Sequence, residues 1–322
     1  MYLKKTILTV TALTIVSILA YTKQTNSSLY KNKTIIGILQ TASHPALDAA
    51  RDGFIAELKN KMDDSVEFII QNAQGSVTNA HTIAQRFHIN KAITAIYAIA
   101  TPAAQAMATI EKDKPIIVAA MTDTQILGEQ NNIYGVTDMI DMHKQIEMIH
   151  LLLPHAQTIA VLYNTAELNS IIQLRQIKQE LNTFNIALIE VGIHQESDIP
   201  NAVSLACRKA DAIICPTDNM LACAMSFIAT TAYKNKKPLF ACYNQAVEQG
   251  ALAARGVDYA EHGKRAGYIT HTLLTTTKDN STLPIEHAAT DTIYVNAKIL
   301  KALELIIPES LQNHVILIEE KQ

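Results

Sequence analysis

Short apolar runs rich in β-branched residues alternate with longer amphipathic segments along the chain from residue 33 onward. Such runs predict buried strands, whereas segments with apolar residues three and four positions apart predict helices. The first pair is a strand predicted over 34–39 and a helix predicted over 46–62, where Phe54 and Leu58 share one face. Continuous apolar strands separated by amphipathic helices are typical of parallel sheets that helices cover on both faces.

The alternation continues as two successive series of strands and helices. Strands are predicted at 34–39, 66–70, 93–99, 115–120, 133–136, 158–163, 186–191, 212–215, 239–242 and 251–255. Helices are predicted at 46–62, 77–89, 103–110, 141–153, 167–181, 196–209, 219–233 and 259–277. Because about half of the strands precede residue 138, two doubly wound lobes are favoured over one very wide sheet. Short junctions near Asp138 and Asp258 predict that the lobes are hinged together.

The N-terminus departs from this pattern. Lys4 and Lys5 precede an uncharged stretch over 6–20, and polar residues follow. A basic start and an apolar stretch of this length are typical of an export signal, and the alternative is a buried helix. If signal peptidase cleaved after Ala20, Ile18 would occupy position −3, where the enzyme prefers a small side chain. The cleavage site is therefore poorly defined. We therefore predict a protein outside the cytoplasm, periplasmic and free or tethered by an uncleaved segment.

Composition narrows the class of protein. Hydrophobic residues make up 48% of the chain and charged residues 18%, which excludes a disordered or low-complexity protein. The net charge of −3 gives no indication of a nucleic-acid partner, which would need surplus basic residues. The four cysteines lie in the later half without the spacing of a zinc site, so free thiols and disulfides both stay open.

Polar residues collect directly after the predicted strands. In open α/β sheets, ligands bind outside the carboxyl ends of the strands, near helix N-termini. Hydroxyls, amides and a few carboxylates dominate these positions, which suits a small zwitterion with an aspartate for its ammonium group. Asp218 is the favoured aspartate, and Leu47, Tyr163 and Tyr243 are the candidates for side-chain recognition. The candidate ligand-binding residues are Gln40, His44, Leu47, Thr101, Thr122, Asp123, Asp138, Tyr163, Asn169, Ser170, Asp218, Asn219, Tyr243 and Asp258.

The same positions have a simpler interpretation. Ser, Thr, Asp and Asn after strands are good helix caps, so each of them taken alone is more often a cap than a ligand contact. The sequence gives no indication of an enzyme, because it has no G-x-S-x-G nucleophile motif, no dinucleotide fingerprint and no phosphate loop. His143, Glu147 and His150 share a predicted helix, but their order and spacing favour a solvated face over a metal site. We expect no enzyme activity, metal or cofactor.

Several strings resemble the ABC-transporter substrate-binding family associated with tryptophan and tyrosine uptake. They occur in the family's order and cover nearly everything after residue 33. The strings are GILQTASHPALDAARDGF (37–54), ATPAAQAMA (100–108), PIIVAAMTD (115–123), YGVTD (134–138), IAVLYNTAELNS (159–170), CPTDNML (215–221) and GALAARGVDYAEHGKRAG (250–267).

The resemblance implies a type I periplasmic-binding-protein fold, with two lobes, three crossover strands and a ligand trapped as the cleft closes. We expect one lobe over 33–138 plus 259–288, a second over 139–258 plus 289–322, and a signal or anchor over 1–32. Thr124 departs from the family, which commonly has proline there. By the matching motifs, the resemblance implies that the ligand contacts are Gln40, Thr101, Asn169, Ser170, Asp218 and Asn219, with Asp123 and Asp258 as further candidates.

The implied function is capture of an amino acid, often aromatic, for delivery to an ABC permease. We expect a monomer that needs no cofactor. Two alternatives stay open: a membrane-tethered sensing module of the same fold, and a hydrolase or synthase with an unrecognised site. Neighbouring genes would separate transport from sensing, and turnover of amino-acid amides or esters would expose an enzyme.

Overall fold

The computed structural model describes residues 33–128, 130–276, 285–287 and 291–319. Its strands are β1 (Thr34–Gln40), β2 (Val66–Asn72), β3 (Ile93–Ile99), β4 (Ile116–Met121), β5 (Ile133–Thr137), β6 (Thr158–Asn164), β7 (Ala187–Ile193), β8 (Ala212–Cys215), β9 (Leu239–Tyr243), β10 (Ala253–Val257), β11 (Glu286–His287), β12 (Ile293–Asn296) and β13 (Val315–Ile318). Its helices are α1 (Pro45–Met62), α2 (Val77–Ile89), α3 (Thr101–Ile110), α4 (Met142–Leu152), α5 (Leu168–Thr183), α6 (Ile199–Lys209), α7 (Asn219–Cys223), α8 (Met225–Lys234), α9 (Asn244–Glu248), α10 (Tyr259–Thr275), α11 (Ala297–Ala302) and α12 (Glu309–Gln312).

The first lobe is built on a parallel sheet of six strands in the order β11-β5-β4-β3-β1-β2. Strands β1, β3 and β4 are almost wholly buried because helices cover both faces of the sheet. The strand order reverses between β1 and β3, so the connections that leave these two strands diverge. A crevice forms at such a switch point, outside the carboxyl ends of the strands.

The second lobe repeats this plan in a sheet of seven strands, ordered β13-β12-β10-β9-β8-β6-β7. Its switch point lies between β6 and β8. Strand β12 runs antiparallel to β10, while β13 pairs with β12 in parallel, so one edge of the sheet departs from the predicted parallel pattern. The predicted fold class is confirmed in its main feature, two sheets in which parallel pairs dominate.

Two chain crossings between the lobes lie within the described residues. Asp138 leads from β5 into the second lobe, and Asp258 leads from β10 back to α10. Strand β11 belongs to the first sheet and β12 to the second. Residues 288–290 between them lie outside the described residues, as does the predicted lobe boundary at 288.

Helix α10 packs against α1 of the first lobe. A Cβ atom built on Gly263 would lie 1.9 Å from the carbonyl oxygen of Ala50, and one on Gly53 would lie 2.2 Å from that of Ala260. The two backbones therefore touch at positions where only glycine fits. This contact joins α10 to the first lobe although it follows the strands of the second.

Some predicted elements need correction. The helix predicted over 219–233 is two helices, because Ala224 leaves helical geometry at φ −99° and ψ 6°. The strand predicted over 251–255 begins at Ala253, and the helix predicted from 196 begins as a 3₁₀ turn before α6. Strands β11 to β13 and helices α9, α11 and α12 were not predicted, since they are too short to show a period.

The structure tests the cysteine prediction but not the predicted export segment. The predicted export segment over 1–32 lies outside the described residues. Among the described helices, none combines the length and apolar character that crossing a bilayer requires. All four cysteines carry free thiols; Cys207, Cys215 and Cys242 are buried, whereas Cys223 is exposed.

Candidate functional site

The switch points of the two lobes face each other across a cavity. Residues after β1 and β3 form one side, and residues after β6 and β8 form the other. The space between the two sides is narrow. The residues that line this cavity are His44, Ala46, Leu47, Ala100, Ala120, Asp138, Asn169, Thr217, Asp218, Asn219, Ala222, Tyr243 and Tyr259.

Small residues give the cavity its apolar part. Ala46, Ala100, Ala120 and Ala222 all lie on its wall beside Leu47. Ala100 has a φ of 73° and Ala120 a φ of 53°, a region that residues other than glycine seldom adopt. Strained backbone of this kind clusters at ligand-binding sites, where the surrounding structure holds it in place. Alanine side chains leave room here that larger ones would fill.

Two helices of the first lobe begin at the cavity without a side-chain cap from the residue that precedes them. Helix α1 begins after His44 and α3 begins after Ala100, and neither preceding residue caps its helix. The N–H of Ala103 in α3 donates to Thr41 Oγ1 over 3.2 Å. The first N–H groups of a helix lack partners inside it and carry partial positive charge. Such a terminus binds carboxylates, so α1 offers the cavity a place for one.

Asp218 lies on the opposite wall, in the second lobe. Its Oδ2 accepts hydrogen bonds from the N–H of Asn164 and the hydroxyl of Ser170, both over 2.7 Å. Its Oδ1 accepts the N–H of Leu221 over 3.0 Å and so caps α7. Since two carboxylate oxygens offer about four acceptor sites, Asp218 keeps capacity for one more donor.

Asp138 is a second carboxylate on the wall, at the crossing that follows β5. It accepts the hydroxyl of Thr122 over 3.0 Å and the phenol of Tyr259 over 2.5 Å. Burial raises the pKa of Asp138 above its usual value, and the two hydrogen bonds oppose that shift. The hydroxyl of Thr122 also lies 3.4 Å from that of Thr217, so this group spans both lobes.

Glu167 belongs to the site although sequence reasoning did not select it. It follows β6, where polar residues were noted, but a carboxylate just before a helix reads as an ordinary cap. In the structure it caps nothing in α5. Its carboxylate instead accepts the backbone N–H of Asn219 over 2.8 Å and the Asn219 side-chain amide. Burial and the neighbouring charge of Asp218 raise the pKa of Glu167 well above its usual value.

Three buried polar atoms of the cavity residues lack a hydrogen-bond partner among the described residues: His44 Nδ1, Asn169 Oδ1 and the Tyr243 hydroxyl. The Asn169 Nδ2 group donates to the carbonyl of Thr217 over 2.6 Å, which directs Oδ1 away from that bond. None of the described residues lining the cavity is Lys or Arg. The wall is therefore rich in acceptors and acidic, and it calls for a guest that brings hydrogen-bond donors.

A wider opening adjoins the cavity and leads to solvent. It holds about 500 Å³, and Thr101, Glu167 and Cys223 are among its lining residues. Asn169 and Asn219 line both spaces and so stand between them. We call this second space the outer opening. It lies where a guest would enter as the lobes part.

Seven of the fourteen predicted residues line the cavity: His44, Leu47, Asp138, Asn169, Asp218, Asn219 and Tyr243. Three others, Gln40, Thr122 and Ser170, are buried without lining it. Thr122 and Ser170 support the two aspartates from behind. Gln40 binds the carboxylate of Asp48 over 2.8 Å, and Thr101 faces the outer opening.

The remaining three predicted residues lie away from both spaces. Asp123 accepts the N–H of Gln125 over 2.8 Å, within a turn. Asp258 accepts the N–H of Ala260 over 2.9 Å and caps α10. Tyr163 lies beside Gly192 on the neighbouring strand β7. The simpler interpretation, local capping, describes both aspartates in this structure.

Two wound lobes with facing switch points and a cavity closed between them define a two-lobed ligand-binding protein of the type I periplasmic class. A family model described as ABC transporter substrate binding protein matches residues 35–315. The chain belongs to the ABC transporter substrate-binding protein family. Proteins of this family are extracytoplasmic, bind small molecules and interact with permeases.

Individual relatives agree with this assignment. A protein named tyrosine-binding protein from Clostridioides difficile is 35% identical over 293 residues, covering 88% of this chain and 84% of that protein. A structure of an ABC domain in complex with L-Trp from Streptococcus pneumonia is 30% identical with a TM-score of 0.82, covering 88% of this chain and all of that one. The predicted family and fold are thereby confirmed.

A third relative allows the arrangement of the lobes to be compared. The ligand-free, open structure of a substrate-binding protein with adhesive properties from Clostridium difficile is 32% identical and has a TM-score of 0.67, covering 89% of this chain and all of that one. At similar identity, the present structure superposes better on the structure with bound L-Trp. The hydrogen-bond distances that span the cavity agree with a closed arrangement of the lobes.

Proposed function

We propose that this protein captures an aromatic amino acid between its lobes and presents it to an ABC permease. The observation that carries the proposal is the acceptor-rich wall, where His44 Nδ1, Asn169 Oδ1 and two aspartates surround a space without a lining Lys or Arg among the described residues. An α-ammonium group supplies three N–H donors and a positive charge, which such a wall accommodates.

In this proposal the carboxylate of the amino acid lies against the N-terminus of α1, on the wall that faces Asp218. That terminus has no side-chain cap and adjoins the cavity through Ala46 and Leu47. The ligand side chain occupies the space left by the alanines, beside the rings of Tyr243 and Tyr259, whose centroids are 6.2 Å apart. Aromatic rings favour offset or edge contacts over such distances. The names of the relatives, which mention tyrosine and L-Trp, support this ligand class.

In this proposal, the closed form is the one that delivers the ligand to the permease. Closure removes the ligand from water, and a permease recognises the surface that only the closed form presents. We include in the proposal that the segment over 1–32 directs export and that the protein acts as a monomer, since the residues lining the cavity all come from one chain. The family match favours transport over the membrane-tethered sensing module.

A thermal-shift screen against the twenty amino acids tests this proposal. A ligand at about 100 times its dissociation constant stabilises the folded protein by about 2.7 kcal/mol, which raises Tm measurably. Tyrosine, tryptophan or phenylalanine should raise Tm, whereas their decarboxylated amines and N-acetyl derivatives should not, because each lacks one end of the zwitterion. A screen in which no amino acid raises Tm, or in which the amines act equally well, would contradict the proposal.

A further inference from the structure

One hydrogen bond joins the two lobes at the edge of the cavity. Nε2 of His44, at the start of α1, lies 3.2 Å from Oδ1 of Asn219, at the start of α7. Both residues line the cavity, and Asn219 also lines the outer opening. The contact therefore stands between the cavity and the route to solvent, and it exists only while the lobes are together.

Glu167 fixes the orientation of the Asn219 amide. Its carboxylate accepts both the backbone N–H and the side-chain Nδ2 of Asn219. Because the NH₂ group of the amide donates to this carboxylate, the amide oxygen is left facing His44. A carbonyl oxygen only accepts hydrogen bonds. Nε2 of His44 must therefore carry the proton.

The other ring nitrogen of His44 is then an acceptor. Burial lowers the pKa of His44, although its hydrogen bond to Asn219 and the charges of Asp48 and Asp218 oppose the shift, and this favours the neutral ring. A neutral imidazole protonated at Nε2 has a lone pair at Nδ1. Nδ1 is buried and has no hydrogen-bond partner among the described residues. A buried acceptor in this state needs a donor from the guest.

We propose that His44 couples ligand capture to lobe closure, donating from Nε2 to Asn219 across the cleft while accepting a hydrogen bond from the ligand at Nδ1. The proposal rests on the proposed function and adds the residue through which an N–H or O–H of the amino acid favours the closed state. A ligand that supplies this donor satisfies both ring nitrogens at once. One that lacks it leaves Nδ1 buried and unpaired, which disfavours closure.

The tautomer of His44 gives a direct spectroscopic test. Protein labelled with ¹⁵N-histidine is titrated with L-tyrosine or L-tryptophan, whichever raises Tm, and the His44 ring is assigned by its loss in His44→Gln. In the bound protein we expect a neutral ring protonated at Nε2, with an Nδ1 resonance that shifts on ligand addition. A ring protonated at Nδ1, or an Nδ1 resonance unchanged by saturating ligand, would overturn the proposal.

Variants supply the energetic test. His44→Phe and Asn219→Leu should each weaken binding about tenfold or more, since each removes a buried hydrogen bond of the closed state. The double variant should lose much less than the product of the two single losses, because one shared bond is removed. His155→Phe, at an exposed position, is the matched control and should bind as the unaltered protein does.

The outcomes separate this inference from the proposed function. If no amino acid binds the unaltered protein, the proposed function fails. If an amino acid binds but His44→Phe retains full affinity, or the two single losses multiply in the double variant, only the role of His44 is overturned. Unfolding curves of each variant, measured without ligand, identify any loss that comes from incomplete folding.

Discussion

The phenol of Tyr259 donates a 2.5 Å hydrogen bond to the carboxylate of Asp138, and the two residues stand at separate crossings between the lobes. Asp138 follows β5 on the way out of the first lobe, whereas Tyr259 begins α10 on the way back. Both line the cavity. The bond therefore ties two hinge segments to each other and to the wall that surrounds the ligand.

Removing this hydroxyl should destabilise the protein. In Tyr259→Phe, the buried Asp138 keeps only the hydroxyl of Thr122 as a side-chain donor. We expect the free energy of unfolding in urea to fall by about 1–3 kcal/mol, the cost of leaving a buried acceptor short of a partner. Tyr268→Phe is the control, because Tyr268 lies on the same helix at 43% exposure. Equal losses in both variants would show that the bond to Asp138 contributes nothing.

Asp218→Asn tests the assignment of the ammonium partner. The substitution removes the negative charge from the cavity wall, and we expect ligand affinity by calorimetry to fall at least about tenfold. Ser170→Ala is the control, since it removes one hydrogen bond to the same carboxylate from behind the wall. Its affinity should stay within about threefold of the unaltered protein. Unchanged affinity in Asp218→Asn would assign the ammonium to another carboxylate.

His262 should make stability depend on pH. Its Nε2 donates to the carbonyl of Thr137 over 3.2 Å, and burial lowers its pKa from 6.5 to about 4. Between these values the unfolded chain binds a proton that the folded protein does not. Stability is therefore fully present above about pH 6.5 and is lost as pH falls toward 4, by up to about 3 kcal/mol.

Urea unfolding at several pH values between 4 and 7 measures this contribution. Asp138 and Glu167, whose pKa values are raised, act with the opposite sign, so the comparison with a variant is essential. His262→Gln should remove the loss assigned to His262 and flatten the profile. His155→Gln, at an exposed site, should leave the profile as it was. A His262→Gln profile parallel to that of the unaltered protein would contradict the assignment.

Gly263→Ala should destabilise the contact between α1 and α10. In an isolated helix this change is favourable by about 1 kcal/mol. Here the new methyl would lie 1.9 Å from the Ala50 carbonyl oxygen, so the helices must separate. We expect a net loss of about 1–3 kcal/mol in thermal or urea unfolding. Lys264→Ala, the exposed neighbour, should change stability little, and a stabilised Gly263→Ala would disprove the close contact.

Cys223 should be the thiol that reacts in the native protein. It is exposed, and although partial burial raises its pKa too, burial raises the pKa of Cys242 to about 12 and that of Cys215 well above its usual value. A colourimetric thiol reagent should modify one cysteine rapidly, and Cys223→Ser should abolish that phase. The Cys223 sulfur lies 3.8 Å from the Ser43 carbonyl across the cleft, so saturating ligand should slow the reaction. Rapid modification of Cys223→Ser would contradict this assignment.

Periodicity located most elements because the decisive residues are close in sequence. Helix α2 and strand β3 have the predicted bounds, and Ser76 caps α2 locally by accepting the N–H of Asn79. The break at Ala224 could not be predicted in this way. Alanine is a strong helix former, so nothing in the local sequence marks an interruption there. A strand as short as β11 exists only because β5 provides its partner.

The site was partly predictable for a related reason. The rule that ligands lie beyond strand ends at switch points selected residues such as His44, Asn169 and Asp218, which line the cavity. It does not say which strand ends adjoin the cleft, so Asp123 was also selected. Ala100 and Ala120 escaped notice because alanine has no functional group and a positive φ leaves no mark in the sequence. Glu167 was missed because its partner, Asn219, is distant in the chain.

The backbone contact between Gly53 and Ala260 has a consequence for biosynthesis. The helix that covers α1 is encoded after every strand from β6 to β10, so a nascent chain that has emerged only as far as β5 lacks part of its first lobe. That half-made lobe would expose the apolar face of α1 until the ribosome has passed Thr275. Shielding of α1 by a chaperone during this interval, before or during secretion, would follow from the order of the chain alone.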